Sequence, residues 1–85
     1  MGQKGKANDT IRLGENISTT RQQRGMTQED MARELQLRGF EISRSTYAKI
    51  ELGMHTVDVS VFEAIKDILE TTYDELLKPW KKSEK

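Results

Sequence analysis

The chain has 85 residues, which is enough for one small domain with a modest core. It contains no cysteine, so neither a disulfide framework nor a thiolate metal site is available. There is no apolar run long enough to cross a membrane, and the N-terminus lacks the apolar core of a signal peptide. We therefore expect a soluble, cytoplasmic, single-domain protein.

The charges balance overall but are unevenly distributed along the chain. Lysine and arginine total 14, as do aspartate and glutamate. Residues 11–26 carry three arginines and one glutamate, whereas residues 58–77 carry one lysine and six acidic side chains. This pattern predicts a domain with a more basic end and an acidic end, although solvated helix faces are an alternative explanation.

Residues 1–9 are rich in glycine, lysine and glutamine and have no apolar periodicity. This composition predicts a disordered basic arm. Lys4 and Lys6 could follow a DNA groove, or the arm could simply be a solubilising tail.

A first helix is predicted to begin after a cap at Asp9 or Thr10 and to end at Gly25. Its inner side would carry Ile11, Gly14, Ile17 and Arg21. A long cation on a core-facing stripe needs a partner, because leaving it unpaired would cost several kcal/mol.

The second helix is predicted to begin at Thr27, whose hydroxyl can accept the backbone N–H of Asp30 in a short capping box. The positions expected to face the core are Met31, Ala32 and Leu35, and those expected to face water are Gln28, Glu29, Arg33 and Glu34. Gly39 is expected to end the helix near Arg38.

The third helix is predicted to begin at a Ser43 cap, with Ile42 and Tyr47 packed together across its start. Tyr47 and Ile50 would point inward because they are three residues apart. The outer face would then consist of Arg44, Ser45, Ala48 and Lys49. That face is short, polar and positively charged.

The strings TQEDMA and SRSTYAKIE, in residues 27–51, resemble the helix-turn-helix of Cro and repressor proteins. The string VFEAIKDILETTYDELL resembles the last two helices of that family, so the likeness covers residues 11–77. The resemblance implies an all-α, compact five-helix domain of the lambda-repressor type. About five extra residues lengthen the turn between the second and third helices. Gln36 stands where the family has its turn glycine, and Gly39 takes over that role.

The resemblance also implies a set of functional residues. Arg44 would read guanine, Lys49 would reach a guanine or a phosphate, and Ser45 would bond base edges. Thr27 and Gln28, at the N-terminus of the second helix, would hold a backbone phosphate through side-chain and N–H groups. The complete DNA-contacting set is Thr27, Gln28, Ser43, Arg44, Ser45 and Lys49. Arg21 would pair with Glu51 in a structural ion pair, and the loop after the third helix lacks the lysine or arginine that often grips phosphate.

A fourth helix is predicted after an Asp58 cap, and its apolar stripe consists of Phe62, Ile65, Ile68 and Leu69. Thr72 and Glu75 would cap a fifth helix, which Pro79 stops. The domain is therefore expected to span residues 10–78, followed by a polar tail at 79–85. A homodimer could form through Tyr73, Leu76, Leu77 and Trp80, or Trp80 could instead cover the core of the monomer.

Enzymatic activity is not expected. His55 is the only histidine, and no acidic cluster has metal-ligand spacing, so we expect neither a metal nor a cofactor. The leading hypothesis is sequence-specific binding of double-stranded DNA by a small transcription regulator, acting as a repressor, with the recognition helix at residues 43–51 in the major groove. The alternative is a protein-interaction module, such as an antitoxin or an adaptor, that keeps the fold without strong DNA binding.

Overall fold

The computed structural model describes residues 12–79, which form five helices. These are α1 (Leu13–Gln23), α2 (Gln28–Leu37), α3 (Arg44–Glu51), α4 (Val59–Leu69) and α5 (Tyr73–Leu77). This architecture confirms the predicted all-α fold with five helices. The predicted basic arm, the predicted caps at Asp9 and Thr10, and Trp80 lie outside the described residues.

Side-chain caps begin four of the five helices. The Thr27 hydroxyl oxygen accepts the backbone N–H of Asp30, and the Asp30 carboxylate accepts the backbone N–H of Thr27, which completes the capping box. The other three caps are those of Ser43, Asp58 and Thr72. The exception is α1, which begins at Leu13 after Arg12 and not after Asp9 or Thr10 as predicted, and no side chain caps it.

The lengthened turn between α2 and α3 is held by hydrogen bonds at both ends. Gly39 has a φ of 95°. The backbone N–H groups of Gly39 and Phe40 donate to the carbonyls of Gln36 and Leu35, respectively, at 3.0 Å each. The Gln36 side-chain amide then donates to the carbonyl of Ile42 at 2.9 Å. Gln36 therefore stabilises the turn, although it stands where the resembled family has a glycine.

The core lies between α1, α2, α3 and α4 and extends to α5. Its fully buried large side chains are Ile17, Met31, Leu35, Tyr47, Ile65, Leu69 and Leu76. Of the stripe predicted on α4, Ile65 and Leu69 are buried, while Phe62 and Ile68 are half-buried. Leu76 was predicted to lie on a dimer surface, and this part of the prediction is wrong, because a side chain with no exposed surface contributes to the monomer core.

Two residues of α1 fix its position against other helices. Asn16 is buried, and its Nδ2 donates to the carbonyls of Leu76 at 2.8 Å and Lys78 at 2.9 Å, which satisfies the end of α5. Gly14 lies so close to the end of α3 that an added methyl group would be 2.3 Å from the Glu51 backbone oxygen. Within residues 12–79, no helix is long and apolar enough to span a membrane.

Candidate nucleic-acid interface

The outer face of α3 is fixed by the packing of its inner face. Tyr47 is fully buried and Ile50 is 3 % exposed, so the helix cannot rotate about its axis without opening the core. On the opposite side, Arg44, Ser45 and Lys49 are exposed, with the half-buried side chain of Ala48 between them. The predicted outward residues therefore share one surface.

Arg44 and Lys49 differ from the other cations in the described part of the chain. Residues 12–79 contain nine lysines and arginines, and seven of them have a carboxylate within 4.0 Å. The paired cations are Arg12, Arg21, Arg24, Arg33, Arg38, Lys66 and Lys78. The two cations left without a carboxylate partner are both on the outer face of α3. Positive charge there is available to an external anion.

The end of α3 is anchored by Glu51, whose carboxylate accepts four hydrogen bonds. Oε2 accepts from Arg21 Nε at 2.7 Å and from Tyr47 Oη at 2.5 Å. Oε1 accepts from Arg21 Nη2 at 3.1 Å and from Gln28 Nε2 at 3.0 Å. Four bonds fill the acceptor capacity of a carboxylate. The cluster joins α1, α2 and α3 at one point.

The ionisation of this cluster follows from its geometry. Burial by itself would raise the pKa of Glu51, but the hydrogen bonds from Arg21, Tyr47 and Gln28 outweigh it, and the pKa is lowered. The hydrogen bond to Glu51 raises the pKa of Arg21. Burial and the Glu51 carboxylate raise the pKa of the Tyr47 hydroxyl, so Tyr47 remains a donor at neutral pH.

The first turn of α2 has exposed backbone donors. The first N–H groups of a helix have no partner within it, so those of Gln28 and Glu29 are directed out of the N-terminus. Thr27 is exposed, and its hydroxyl oxygen accepts from Asp30 at 3.0 Å. Gln28 differs from the sequence prediction, because its side chain is half-buried and its amide donates to Glu51 instead of facing water.

The remaining predicted contact residue on this surface is Ser43. Its hydroxyl accepts the N–H of Thr46 at 3.1 Å and donates to the Thr46 hydroxyl at 3.2 Å. Ser43 therefore has a structural role at the start of α3 while staying exposed beside Arg44. Ser45 approaches Ser43 at 3.5 Å between hydroxyl oxygens, which leaves its own hydroxyl largely available.

The loop after α3 has a different character from the helix. Residues 52–58 contain no lysine or arginine. Leu52 is 71 % exposed, Met54 is 68 % exposed, and Val59 at the start of α4 is 79 % exposed. This segment supplies apolar surface next to the positive face of α3.

Metal ligands do not cluster in the described part of the chain. Residues 12–79 contain no group of three or more histidine, cysteine, aspartate or glutamate side chains placed to hold a metal ion. His55 is exposed in the loop before α4.

Three long-range hydrogen bonds were missed by the sequence analysis, one in the site and two that hold the end of α5. The bond from Gln28 to Glu51 joins residues 23 positions apart, and the bonds from Asn16 join residues 60 and 62 positions apart. Helical periodicity reports only neighbours within about one turn. The Arg21–Glu51 pair was predicted, but from the family resemblance and not from helical periodicity.

Two consecutive helices, joined by a structured turn and ending in a helix with an exposed polar face, define the helix-turn-helix class. The sequence profile of the helix-turn-helix domain family matches residues 14–78, so the chain belongs to that family. This match confirms the resemblance inferred from the sequence. No curated protein and no solved structure matched the chain significantly.

Proposed function

We propose that this protein is a cytoplasmic transcription regulator that binds a specific sequence of double-stranded DNA. The observation that carries the proposal is the position of Arg44 and Lys49 on the outer face of α3, since they are the two cations of residues 12–79 that have no carboxylate partner. An α-helix fits the major groove of B-DNA, and the second helix of this class is the one that enters it.

The proposed contacts divide into base reading and backbone positioning. Arg44 reads a guanine through two hydrogen bonds, Ser45 bonds a base edge, and Lys49 reaches a guanine or a phosphate. Thr27 donates its hydroxyl proton to a backbone phosphate, and Gln28 contributes its backbone N–H at the same place. Ser43 is exposed beside Arg44 at the start of α3, and its hydroxyl contacts the DNA in the same groove.

We further propose a homodimer that acts as a repressor. Tyr73 and Leu77 are 41 % and 39 % exposed and lie one helical turn apart on α5. The Tyr73 ring is held by Phe62, at 5.4 Å between ring centroids, and by Lys66 Nζ at 4.7 Å from its centroid. A dimer occupies two half-sites, and occupancy alone can block transcription.

Selection of bound duplexes from a random pool tests the proposal. We expect an approximate palindrome whose half-sites are about 34 Å apart. Affinity for the selected duplex should fall steeply with salt, because phosphate contacts release counterions. Failure to enrich any sequence, together with no binding to generic duplex at low salt, would overturn the proposal.

The competing function is a protein-interaction module, either an antitoxin or an adaptor. It is favoured by the net charge of zero over the whole chain, which gives no general attraction to phosphate, and by the exposed Leu52, Met54 and Val59 beside α3. The salt titration separates the two functions, because a protein-binding surface predicts no affinity for duplex DNA at low salt.

A further inference from the structure

The side-chain amide of Gln28 connects the beginning of α2 to the end of α3. Gln28 is the first residue of α2 and Glu51 is the last residue of α3. Gln28 Nε2 donates to Glu51 Oε1 at 3.0 Å, so one side chain spans the two helices of the helix-turn-helix at the ends farthest from their turn. The turn holds one end of this helix pair and Gln28 holds the other.

Glu51 is a rigid point to which Gln28 can attach. The Glu51 side chain is 5 % exposed and is held by both nitrogens of the Arg21 fork and by the Tyr47 hydroxyl. Arg21 is itself fixed by a third hydrogen bond, from Nη1 to the carbonyl of Met26 at 2.9 Å. A hydrogen bond to a fixed, ionised acceptor is stronger and better oriented than one to a mobile surface group.

We propose that Gln28 is a positioning residue for DNA recognition, setting the distance and angle between the phosphate-binding first turn of α2 and the base-reading face of α3. This inference rests on the proposed function. Base contacts need the donor groups held within about 0.5 Å of their productive positions. A phosphate grip and a base contact therefore reinforce each other only if their two helices are held as one unit.

The role differs from the direct phosphate contact that the sequence suggests for the Gln28 side chain. One N–H of its amide is committed to Glu51, whereas the backbone N–H of Gln28 is directed out of the helix N-terminus. Loss of the side-chain amide should then leave the phosphate grip of the backbone in place. It should loosen the orientation of α3, which matters for a specific sequence and little for random DNA.

The test compares Gln28→Met and Gln28→Asn with wild type on the selected duplex and on a random duplex. Met keeps the length but cannot donate, and Asn keeps the amide but is one methylene too short to reach Glu51. Both variants should lose about tenfold in affinity for the selected duplex and little for the random one. The matched control is Gln22→Met, because the Gln22 amide bonds only the Ser18 hydroxyl on the exposed side of α1 at 3.0 Å.

A second measurement reports on Gln28 without DNA. Carbon-13 NMR titration of the Glu51 carboxyl should show a higher pKa in Gln28→Met than in wild type, because one of the bonds that lowers it is gone. Amide resonances in the last turn of α3 should shift in Gln28→Met and not in Gln22→Met. An unchanged Glu51 titration would contradict the bond on which the proposal rests.

The outcomes separate this inference from the proposed function. If wild type binds DNA and Gln28→Met binds both duplexes as well as wild type does, the positioning role is wrong and the proposed function stands. Equal losses on the selected and random duplexes would make the side chain a phosphate contact and would also overturn the positioning role. If wild type binds no duplex, the proposed function fails and the positioning role fails with it.

Discussion

At the scale of single residues, Glu51 has the largest structural role of the charged side chains in residues 12–79. It accepts four hydrogen bonds from Arg21, Tyr47 and Gln28, and its side chain is 5 % exposed. Removing one partner of a buried pair leaves the other charge without compensation. The cluster therefore stabilises the fold mainly because each of its buried polar groups has its hydrogen-bond partner.

Glu51→Ala should lower the free energy of unfolding by about 3 kcal/mol, because Arg21 would keep its charge in a largely buried place. Urea and thermal unfolding measure this loss. The matched control is Glu34→Ala, which breaks the exposed pair with Arg38 and should cost less than about 0.5 kcal/mol. A melting temperature of Glu51→Ala within about one degree of wild type would contradict the account.

The same cluster makes the free energy of unfolding depend on pH through the ionisation of Glu51. Because the pKa of Glu51 is lower in the folded protein, its carboxylate stabilises the fold at pH values above its unfolded pKa. That contribution is lost as pH falls through the folded pKa. Glu51→Gln should accordingly show a flatter decline of stability in acid than wild type.

Glu70 adopts a left-handed conformation with a φ of 54°, which glycine tolerates better than other residues. Glu70→Gly should stabilise the protein by about 1 kcal/mol in urea unfolding. The ion pair with Arg24 is weak, since it spans 4.0 Å between exposed side chains. Glu70→Gln, which removes the charge and keeps the strain, should change stability by less than about 0.5 kcal/mol. Equal effects of the two variants would show that charge, not backbone conformation, is responsible.

At the scale of helices, the close approach of α1 to α3 depends on Gly14. A methyl group there would lie 2.3 Å from the Glu51 backbone oxygen and 2.7 Å from that of Ile50, and backbone atoms cannot yield as a flexible side chain can. Gly14→Ala should therefore destabilise by about 3 kcal/mol despite the higher helix propensity of alanine. Thr19→Ala, at an exposed position of the same helix, should not. Circular dichroism during thermal unfolding distinguishes them, and a stabilised Gly14→Ala would contradict the packing.

The first turn of α2 carries an exposed carboxylate where the proposed function places a phosphate. Glu29 stabilises the helix N-terminus but would repel an anion bound there. Glu29→Gln should raise affinity severalfold for the selected and random duplexes alike, because a phosphate contact does not depend on sequence. Fluorescence anisotropy titration measures both affinities. Unchanged affinity for both duplexes would remove this turn from the interface.

The elements that the sequence predicted correctly are those governed by neighbouring residues. The caps at Thr27, Ser43 and Asp58 each depend on a residue three positions ahead, so their residue types and spacing specify them. The sequence placed Leu76 on a dimer surface, but α5 packs against α1 and buries it. The contact between Gln28 and Glu51 also depends on how helices meet, which periodicity does not encode.

At the scale of the whole molecule, charge is arranged to make α3 different from its surroundings. Residues 12–79 carry a net charge of −3, and their cations outside α3 are paired with carboxylates. Within residues 12–79, a duplex would therefore meet an uncompensated positive charge mainly at Arg44 and Lys49. Such an arrangement predicts weak attraction to DNA in general and a strong dependence on the few contacts made by α3.

The most direct test of DNA recognition by α3 is the affinity of Arg44→Ala for the selected duplex and for a random duplex. If Arg44 reads a guanine, the variant should lose about 1 to 3 kcal/mol on the selected duplex and little on the random one, with stability unchanged. Lys78→Ala, which removes an exposed cation at the end of α5, should bind both duplexes as wild type does. Equal losses of Arg44→Ala on the two duplexes, or no loss on either, would contradict base reading by this helix.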